Sequence, residues 1–532
     1  MADISTPTPL ATAYLLSVPF FMPTNSGDQL AVSFAGNASI ILAAALSVMV
    51  TQAFAELWRL ICFFAMFFGG DESRRRYGSL AIIWNAKGDP WEAATGLVKY
   101  AFSGTRRSDR WFSLGFASLA FCVFGGGIAM GIVAPFLMLI GNVAPARPGA
   151  VSWPARPAGP SEAIQEVAIR APAFLRALGS AEAARGTLRR KVSIERPTED
   201  EVEEARHDNS TGLGPKSSVK YRYSLTGADM GLQRGSDLRL LVEGFCATEY
   251  SWVMDSKSAN GPVDDQADHY QLWNDPNRTH STLLQDAKYG PRADFILHPD
   301  FKAQWKKDSN ASYAIIPDTA RIPSHSPSDD PWYATESRST SDRFDPDHQI
   351  KRQRPPLACW EKDSWSHAGS AVNSVMELAH TPTINIPLIL LEIIEAAFYK
   401  GPMIYTLSMA SGPSALQSRS TRVAGEINAE DCKMFDDMEL LILASFVATK
   451  NIFADAAMTV LPDHTFNLAR GMDGEPREGV GSFVLTTTTV QTFSLTGVAS
   501  LSAVLGALAL ANLGVSASLR SHRGPREDDS DD

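Results

Sequence analysis

Four acidic pairs head the residues able to do chemistry: Asp264-Asp265, Asp329-Asp330, Asp436-Asp437, and Glu392 with Glu395. Paired carboxylates serve glycoside hydrolysis or hold Ca²⁺. Adjacent acids in polar loops more often face solvent, and that reading is adopted here. The ten histidines are scattered, and His298-Pro-Asp300 and Asp463-His464 read as surface pairs. Neither Cys-x-x-Cys nor His-Glu-x-x-His occurs, so no metal site is expected. A phosphate-cradling Gly-rich loop with a Lys and a Gly-x-Ser-x-Gly elbow are also missing. The reading therefore assigns no catalytic residue and no cofactor. Trp252, Trp273, Trp305, Trp332, Trp360 and Trp365 could line a carbohydrate groove, because aromatic rings stack on apolar ligand faces. Core packing is the simpler use.

Two further signals concern compartment. Asn209-Ser-Thr, Asn277-Arg-Thr and Asn310-Ala-Ser are N-glycosylation acceptors, which fit a lumenal or extracellular region. A fourth match, Asn37-Ala-Ser, lies at the mouth of an apolar run and is read as unused. Cys246, Cys359 and Cys432 fall in the same large region. In an oxidising compartment two of them would pair. Three pairings exist, spacing does not choose among them, and Cys246 with Cys359 is the one expected here. Five cysteines are too few for a disulfide-dense scaffold.

The elements that must carry these residues are dominated by apolar runs. Residues 111–146 contain no Asp, Glu, Lys, Arg or His and are bounded by Arg110 and Arg147. A bilayer core is about 30 Å thick and needs roughly 20 apolar residues of helix. Three spans are predicted, over residues 30–55, 111–141 and 492–517. The first continues in apolar character to residue 70 as an interfacial helix, with Trp58 at headgroup level. Glu56 and Arg59 share one face of it. They read as an intramembrane charge pair or, more simply, as a snorkelling pair at the boundary. Residues 9–22 are apolar but short and broken by Pro19, which predicts a surface-lying or loosely ordered segment.

Residues 71–110 hold Arg74, Arg75, Arg76, Lys87, Lys99, Arg106, Arg107 and Arg110, so the positive-inside rule puts this loop in the cytoplasm. Residues 1–29 then lie outside, as do residues 142–491. The acidic tail, residues 518–532, lies inside. Gly127 with Gly131, and Ala499 with Ala503, place small residues at helical spacing. They predict close packing of the spans, within one chain or as a homo-oligomer or with a membrane partner. The net charge of −11 argues against a nucleic-acid partner; the expected partner is the lipid bilayer.

The external region opens with a Pro-rich linker and a helical, then flexible, segment over residues 142–217. Residues 218–491 are read as a folded domain. Val219, Tyr221, Tyr223 and Leu225 alternate as a half-buried strand does. Further strands are predicted near residues 237–248, 295–297, 314–316 and 483–490, with a long polar loop over 322–356 and helices near 387–399 and 431–450. Strands followed by helices predict an α+β extracytoplasmic domain, mainly antiparallel sheet with helices, tethered by three transmembrane α-helices.

Residues 221–250, which include Tyr-Arg-Tyr-Ser-Leu-Thr-Gly-Ala-Asp-Met-Gly-Leu-Gln, and residues 440–455, Leu-Leu-Ile-Leu-Ala-Ser-Phe-Val-Ala-Thr-Lys-Asn-Ile-Phe-Ala-Asp, resemble uncharacterised three-span membrane proteins of filamentous fungi. That resemblance carries no activity. The expectation is an integral membrane glycoprotein that binds, senses or scaffolds through its external domain. The alternatives are a membrane-anchored lumenal enzyme of a glycan or secondary-metabolite pathway, and an accessory subunit of a membrane complex.

Overall fold

A computed structural model describes residues 5–24, 27–67, 77–103, 107–157, 159–197, 217–254, 267–283, 293–302, 310–318, 321–338, 346–372, 375–380, 385–411, 416 and 426–521. The chain divides into two compact units. The first comprises Leu16–Met22, Gln29–Ala144 and Thr487–Asp532; the second comprises Met1–Leu15, Pro23–Asp28 and Pro145–Thr486.

The first unit is built on three long apolar helices, α1 (Gly36–Phe67), α4 (Arg107–Met138) and the last helix, α11 (Leu495–Ser521). Each is long and apolar enough to cross a membrane, and the protein is a multi-pass membrane protein. A small four-stranded sheet joins one end of all three, in the order β1 (Pro19–Thr24), β2 (Gly27–Ala35), β18 (Val490–Ser494), β3 (Leu139–Gly141). β2 runs straight into α1, α4 runs straight into β3, and β18 runs straight into α11. β18 is antiparallel to β2 from Val490↔Ala35 to Ser494↔Ala31. The Thr492 hydroxyl donates to the Val143 carbonyl at 2.6 Å and accepts from the Val143 N–H at 2.9 Å.

Several expectations change here. α1 begins at Gly36 rather than at residue 30, because residues 27–35 form a strand of this sheet. Residues 9–22 are not loosely ordered, since Pro19 opens β1. α1 also does not leave the bundle at residue 56; it continues as one helix to Phe67. Trp58 is fully buried among helices, and its indole N–H donates to the Ala86 carbonyl at 3.2 Å. It packs in a cluster with Cys62, Leu80, Ile83, Leu97 and Ala120, which draws α2 (Tyr77–Asn85) and α3 (Pro90–Phe102) against α1 and α4. At the start of α4, buried Asp109 accepts from Ser79 Oγ at 2.6 Å and Tyr100 Oη at 2.9 Å, tying α2, α3 and α4 together.

Small residues set how α1 and α4 meet. A Cβ built on Gly127 would sit 3.2 Å from Phe54 Cβ, and one on Gly131 would sit 3.1 Å from Thr51 Oγ1. Gly127 and Gly131 are thus spent on a helix of the same chain. Ala499 and Ala503 lie on the exposed face of α11.

The second unit is an α+β domain. Short strands β4 (Val143–Pro145) and β17 (Val484–Thr486) lie where the chain passes between units. The domain's core is a seven-stranded antiparallel sheet ordered β10 (Ala293–Leu297), β11 (Asn310–Pro317), β15 (Leu357–His367), β7 (Leu238–Thr248), β6 (Ser218–Thr226), β5 (Val192–Glu195), with β16 (Ser370–Val372) paired to β15. The central strand β15 falls where the sequence reading placed none. Its mid-strand Glu-Lys-Asp breaks the apolar signal, although every odd residue from 357 to 367 is buried. Residues 322–356 hold the short strands β12 (Pro323–Ser324), β13 (Thr335–Ser337) and β14 (His348–Ile350) rather than a bare loop.

One face of the sheet is covered by helices, which include α5 (Pro160–Ala183), α8 (Met403–Ser411) and α9 (Met434–Lys450). α9 is buried almost all round, as a helix that is apolar on every side must be. Residues 160–197 of the predicted linker segment therefore pack as part of the domain. α5 and the following turn of helix, α6 (Arg185–Leu188), bring arginines onto acids of α9 and α10 (Ile452–Ala456): Arg185 Nη2 lies 2.5 Å from Glu439 Oε2, and Arg189 and Arg176 pair with Glu439 and Asp455. At α7 (Leu388–Phe398), Tyr399 Oη and Lys400 Nζ reach buried Glu166 of α5 at 2.6 and 2.8 Å. On the other face the hairpin of β8 (Ala267–Gln271) and β9 (Thr279–Leu283) packs Tyr270, with Trp252 and Leu272, on Ala314 and Ile316.

Candidate functional site

The odd residues of β15 point to the helix-covered face. Two of them, Glu361 and Asp363, are carboxylic acids only 1% and 0% exposed. Register explains how they fit. Glu361 lies between Gly244 of β7 and Ala311 of β11, two small neighbours, and Gly244 in turn lies beside Tyr221 of β6. The Tyr221 ring crosses over Gly244 to donate its hydroxyl to Glu361. A Cβ at residue 244 would lie 2.1 Å from Tyr221 Cζ, so only glycine permits this crossing. Tyr313 of β11 closes the row, its hydroxyl 3.2 Å from that of Tyr221. Beyond it, Cys246 and Cys359 face each other in register and are joined by a disulfide. Tyr223 of β6 lies beside Val242, which pairs with Asp363; its ring meets Phe446 of α9 edge-on at 5.5 Å and its hydroxyl faces Thr449.

No cation balances this cluster among the described residues. Both Asp363 oxygens and Glu361 Oε1 are buried without a hydrogen-bond partner. An ionised carboxylate in such surroundings is costly, so the group holds its proton instead. Burial raises Glu361 to about 7 against the opposing Tyr221 hydrogen bond. Asp363 is held well above the usual carboxylate range by burial and then by its neighbour Glu361. Burial likewise pushes the Tyr221 and Tyr313 phenols up. In this conformation burial favours the protonated form of both acids. Their depth keeps them away from any substrate in solution.

The opposite face of the same strands is half open. Across β5, β6, β7 and β15 on this face lies a groove of about 490 Å³. Phe245 and half-buried Trp360, neighbours in register, line it together with Glu195, Lys220, Arg222 and Glu243. Arg222 Nε lies 3.2 Å from Glu243 Oε1, and Lys220 is in register with Glu195.

The acids singled out in the sequence do other work. Asp330 is half-buried and accepts from the Met434 N–H at 3.2 Å, starting α9, while Asp437 accepts from Tyr333 Oη and is 4% exposed. Their expected solvent-facing role is thus corrected: each satisfies a donor that folding would otherwise strand. Glu392 pairs with Arg477 at 2.6 Å and Glu395 with Arg156 at 2.5 Å. Asp264, Asp265, Asn209 and Trp305 lie outside the described residues. Asn277 sits in an exposed turn before β9; Asn310 opens β11 half-buried, with Oδ1 buried. Cys432 is a buried thiol. Trp252, Trp332 and Trp365 are core residues, and of the five described tryptophans Trp360 lines the groove. Glu361 and Asp363 went unnoticed in the sequence. The signal that marks them is Leu357, Cys359, Trp365 and His367 at the same two-residue spacing.

Fold and spans together define a class: a multi-pass membrane protein carrying an α+β domain of antiparallel sheet and helices. Within that class, the chain belongs to the family described as a domain of unknown function, DUF8406, matched over residues 171–485. That match runs from α5 to β17 and includes the whole carboxyl–tyrosine cluster. No curated protein and no solved structure matches the chain.

Proposed function

We propose that this protein is a membrane-tethered sensor whose α+β domain lies outside the cytoplasm and responds to the acidity of that compartment. The observation that carries the reading is the Asp363 carboxyl, fully buried in the central strand with neither oxygen hydrogen-bonded. Such a group is stable only while protonated. Its surroundings are Glu361, the Tyr221, Tyr223 and Tyr313 phenols, and Thr449 and Phe446 of α9, none of which supplies a positive charge. Losing the proton forces either water or a rearrangement between the sheet and α9. Three features support the compartment: the basic loop between the first two spans, the Cys246–Cys359 disulfide, and the acceptor Asn277 in an exposed turn. The N-terminus is then outside and the C-terminus cytoplasmic. The likeness to fungal three-span proteins accords with such a glycoprotein.

The test is the melting temperature and amide-exchange protection of α9 across pH 4.5–8, in the full chain and in Glu361→Gln/Asp363→Asn. The wild type should lose stability and α9 protection as pH rises, and the variant should not. A flat wild-type profile, or an equal slope in the variant, rejects the sensor. Sidedness is read separately, by protease protection in sealed vesicles and by the glycosidase sensitivity of Asn277→Gln.

A further inference from the structure

The groove on the open half of the sheet meets the carboxyl–tyrosine cluster at Tyr221 and Gly244, while Glu361 and Asp363 do not line it. Its lining has a specific pattern. Along one cross-strand row lie Glu195, Lys220, Phe245 and Trp360; the next row carries Ser193, Arg222, Glu243 and Lys362. The two acids and two bases of the lining stand as neighbouring opposites, and one couple is ion-paired at 3.2 Å. Among the described residues that line the groove the two signs therefore balance, with Lys362 just beyond them in register with Glu243. What remains is a half-buried indole beside a phenyl ring, flanked by long side chains able to donate and accept hydrogen bonds. The volume of about 490 Å³ falls within the usual range for a small-molecule site.

From this juxtaposition we propose that the groove binds a neutral saccharide, a ring with an apolar face for Trp360 and hydroxyls for the Lys220–Glu195 and Arg222–Glu243 couples. A neutral sugar meets both halves of the lining. A phosphorylated or uronic ligand would instead turn to Lys362, at the edge of the groove and away from the Trp360 ring. Binding here is independent of the protonation of Glu361 and Asp363, which lie on the other face of the sheet.

The test uses the full chain in lipid nanodiscs, free of sugar-headed detergent, at a single pH of 5. Isothermal titration is run with hexasaccharides of glucose, mannose and N-acetylglucosamine, with hexagalacturonate, and with a proline-rich peptide. At least one neutral hexasaccharide should bind, and Trp360→Ala should weaken it by about tenfold, the scale of one aromatic stacking contact. Lys220→Met, at an exposed side chain that the fold does not depend on, should weaken it severalfold with the melting temperature unchanged. The proposal is overturned if no neutral hexasaccharide binds at millimolar concentration. It is also overturned if binding survives both substitutions unchanged, or if only the uronate or the peptide binds. Because the pH is fixed, failure here leaves the sensor reading standing, and a flat pH profile leaves this one standing.

Discussion

Two buried acids, one in each unit, are handled in opposite ways. Glu56 of α1 is 6% exposed, yet its carboxylate is surrounded by donors. Gln52 Nε2 reaches it at 2.8 Å, Arg59 Nη1 at 2.7 Å, and Asn512 of α11 at 2.7 Å, with a second bond from Asn512 to the Glu56 carbonyl at 2.9 Å. Glu56 is about 30 Å along α1 from Gly36 and Asn512 about 26 Å along α11 from Leu495, at 1.5 Å per residue. Both therefore lie near the far boundary of the hydrocarbon, where an ionic group with partners costs least. Asp363 is deeper and has no partner at all. A satisfied acid fixes the approach of two helices. An unsatisfied one makes the fold conditional on a proton.

The comparison is broken most directly by pH. Glu361 rises from 4.5 to about 7 on folding. The native state then binds the proton that the unfolded chain releases above about pH 4.5. Its contribution is complete below that pH and is lost as pH climbs to 7, on the order of 3 kcal/mol. Asp363, also raised, adds loss of the same sign. Urea denaturation of the full chain at pH 4.5, 6 and 7.5 measures it, and rising stability with pH would contradict the cluster as described.

Next in size is Gly244→Ala, which drives a methyl into the Tyr221 ring. It should cost about 2 kcal/mol by overpacking. Pairing it with Tyr221→Ala should be far from additive in denaturation measurements, because the two share one space. On the satisfied side, Asn512→Leu removes one donor and leaves Gln52 and Arg59 in place. A loss of about 1 kcal/mol is expected, the usual scale for a polar contact between membrane helices. It should appear as looser α1–α11 cross-linking of introduced cysteine pairs. Smallest is Asn277→Gln in its exposed turn, with stability unchanged to within about 0.5 kcal/mol and any glycosidase-sensitive mobility shift removed.

How much of this the chain declares in advance differs between the units. The apolar runs around Leu46, Ala120 and Val504 mark three spans, because the bilayer selects on length and hydropathy alone. The register of the Gly127/Gly131 spacing was visible, but its partner Phe54 was not. In the domain, Val219 to Leu225 marks β6 by alternation, whereas β15 was hidden by its own buried acids, since acids on a core face cancel the apolar signal that reveals a strand. Asn512 was hidden for the complementary reason: one amide in a long apolar helix changes its mean hydropathy little.

What the sequence alone determines, then, is what each solvent imposes residue by residue: membrane helices, alternating strands, and the α+β class. Tertiary structure decides which polar groups meet. That Glu361 lies over Gly244 beneath Tyr221, that Asp363 meets no cation, and that Glu56 finds Asn512 456 residues away all depend on strand register and helix contact. Those are set by packing over long separations, which no local pattern records.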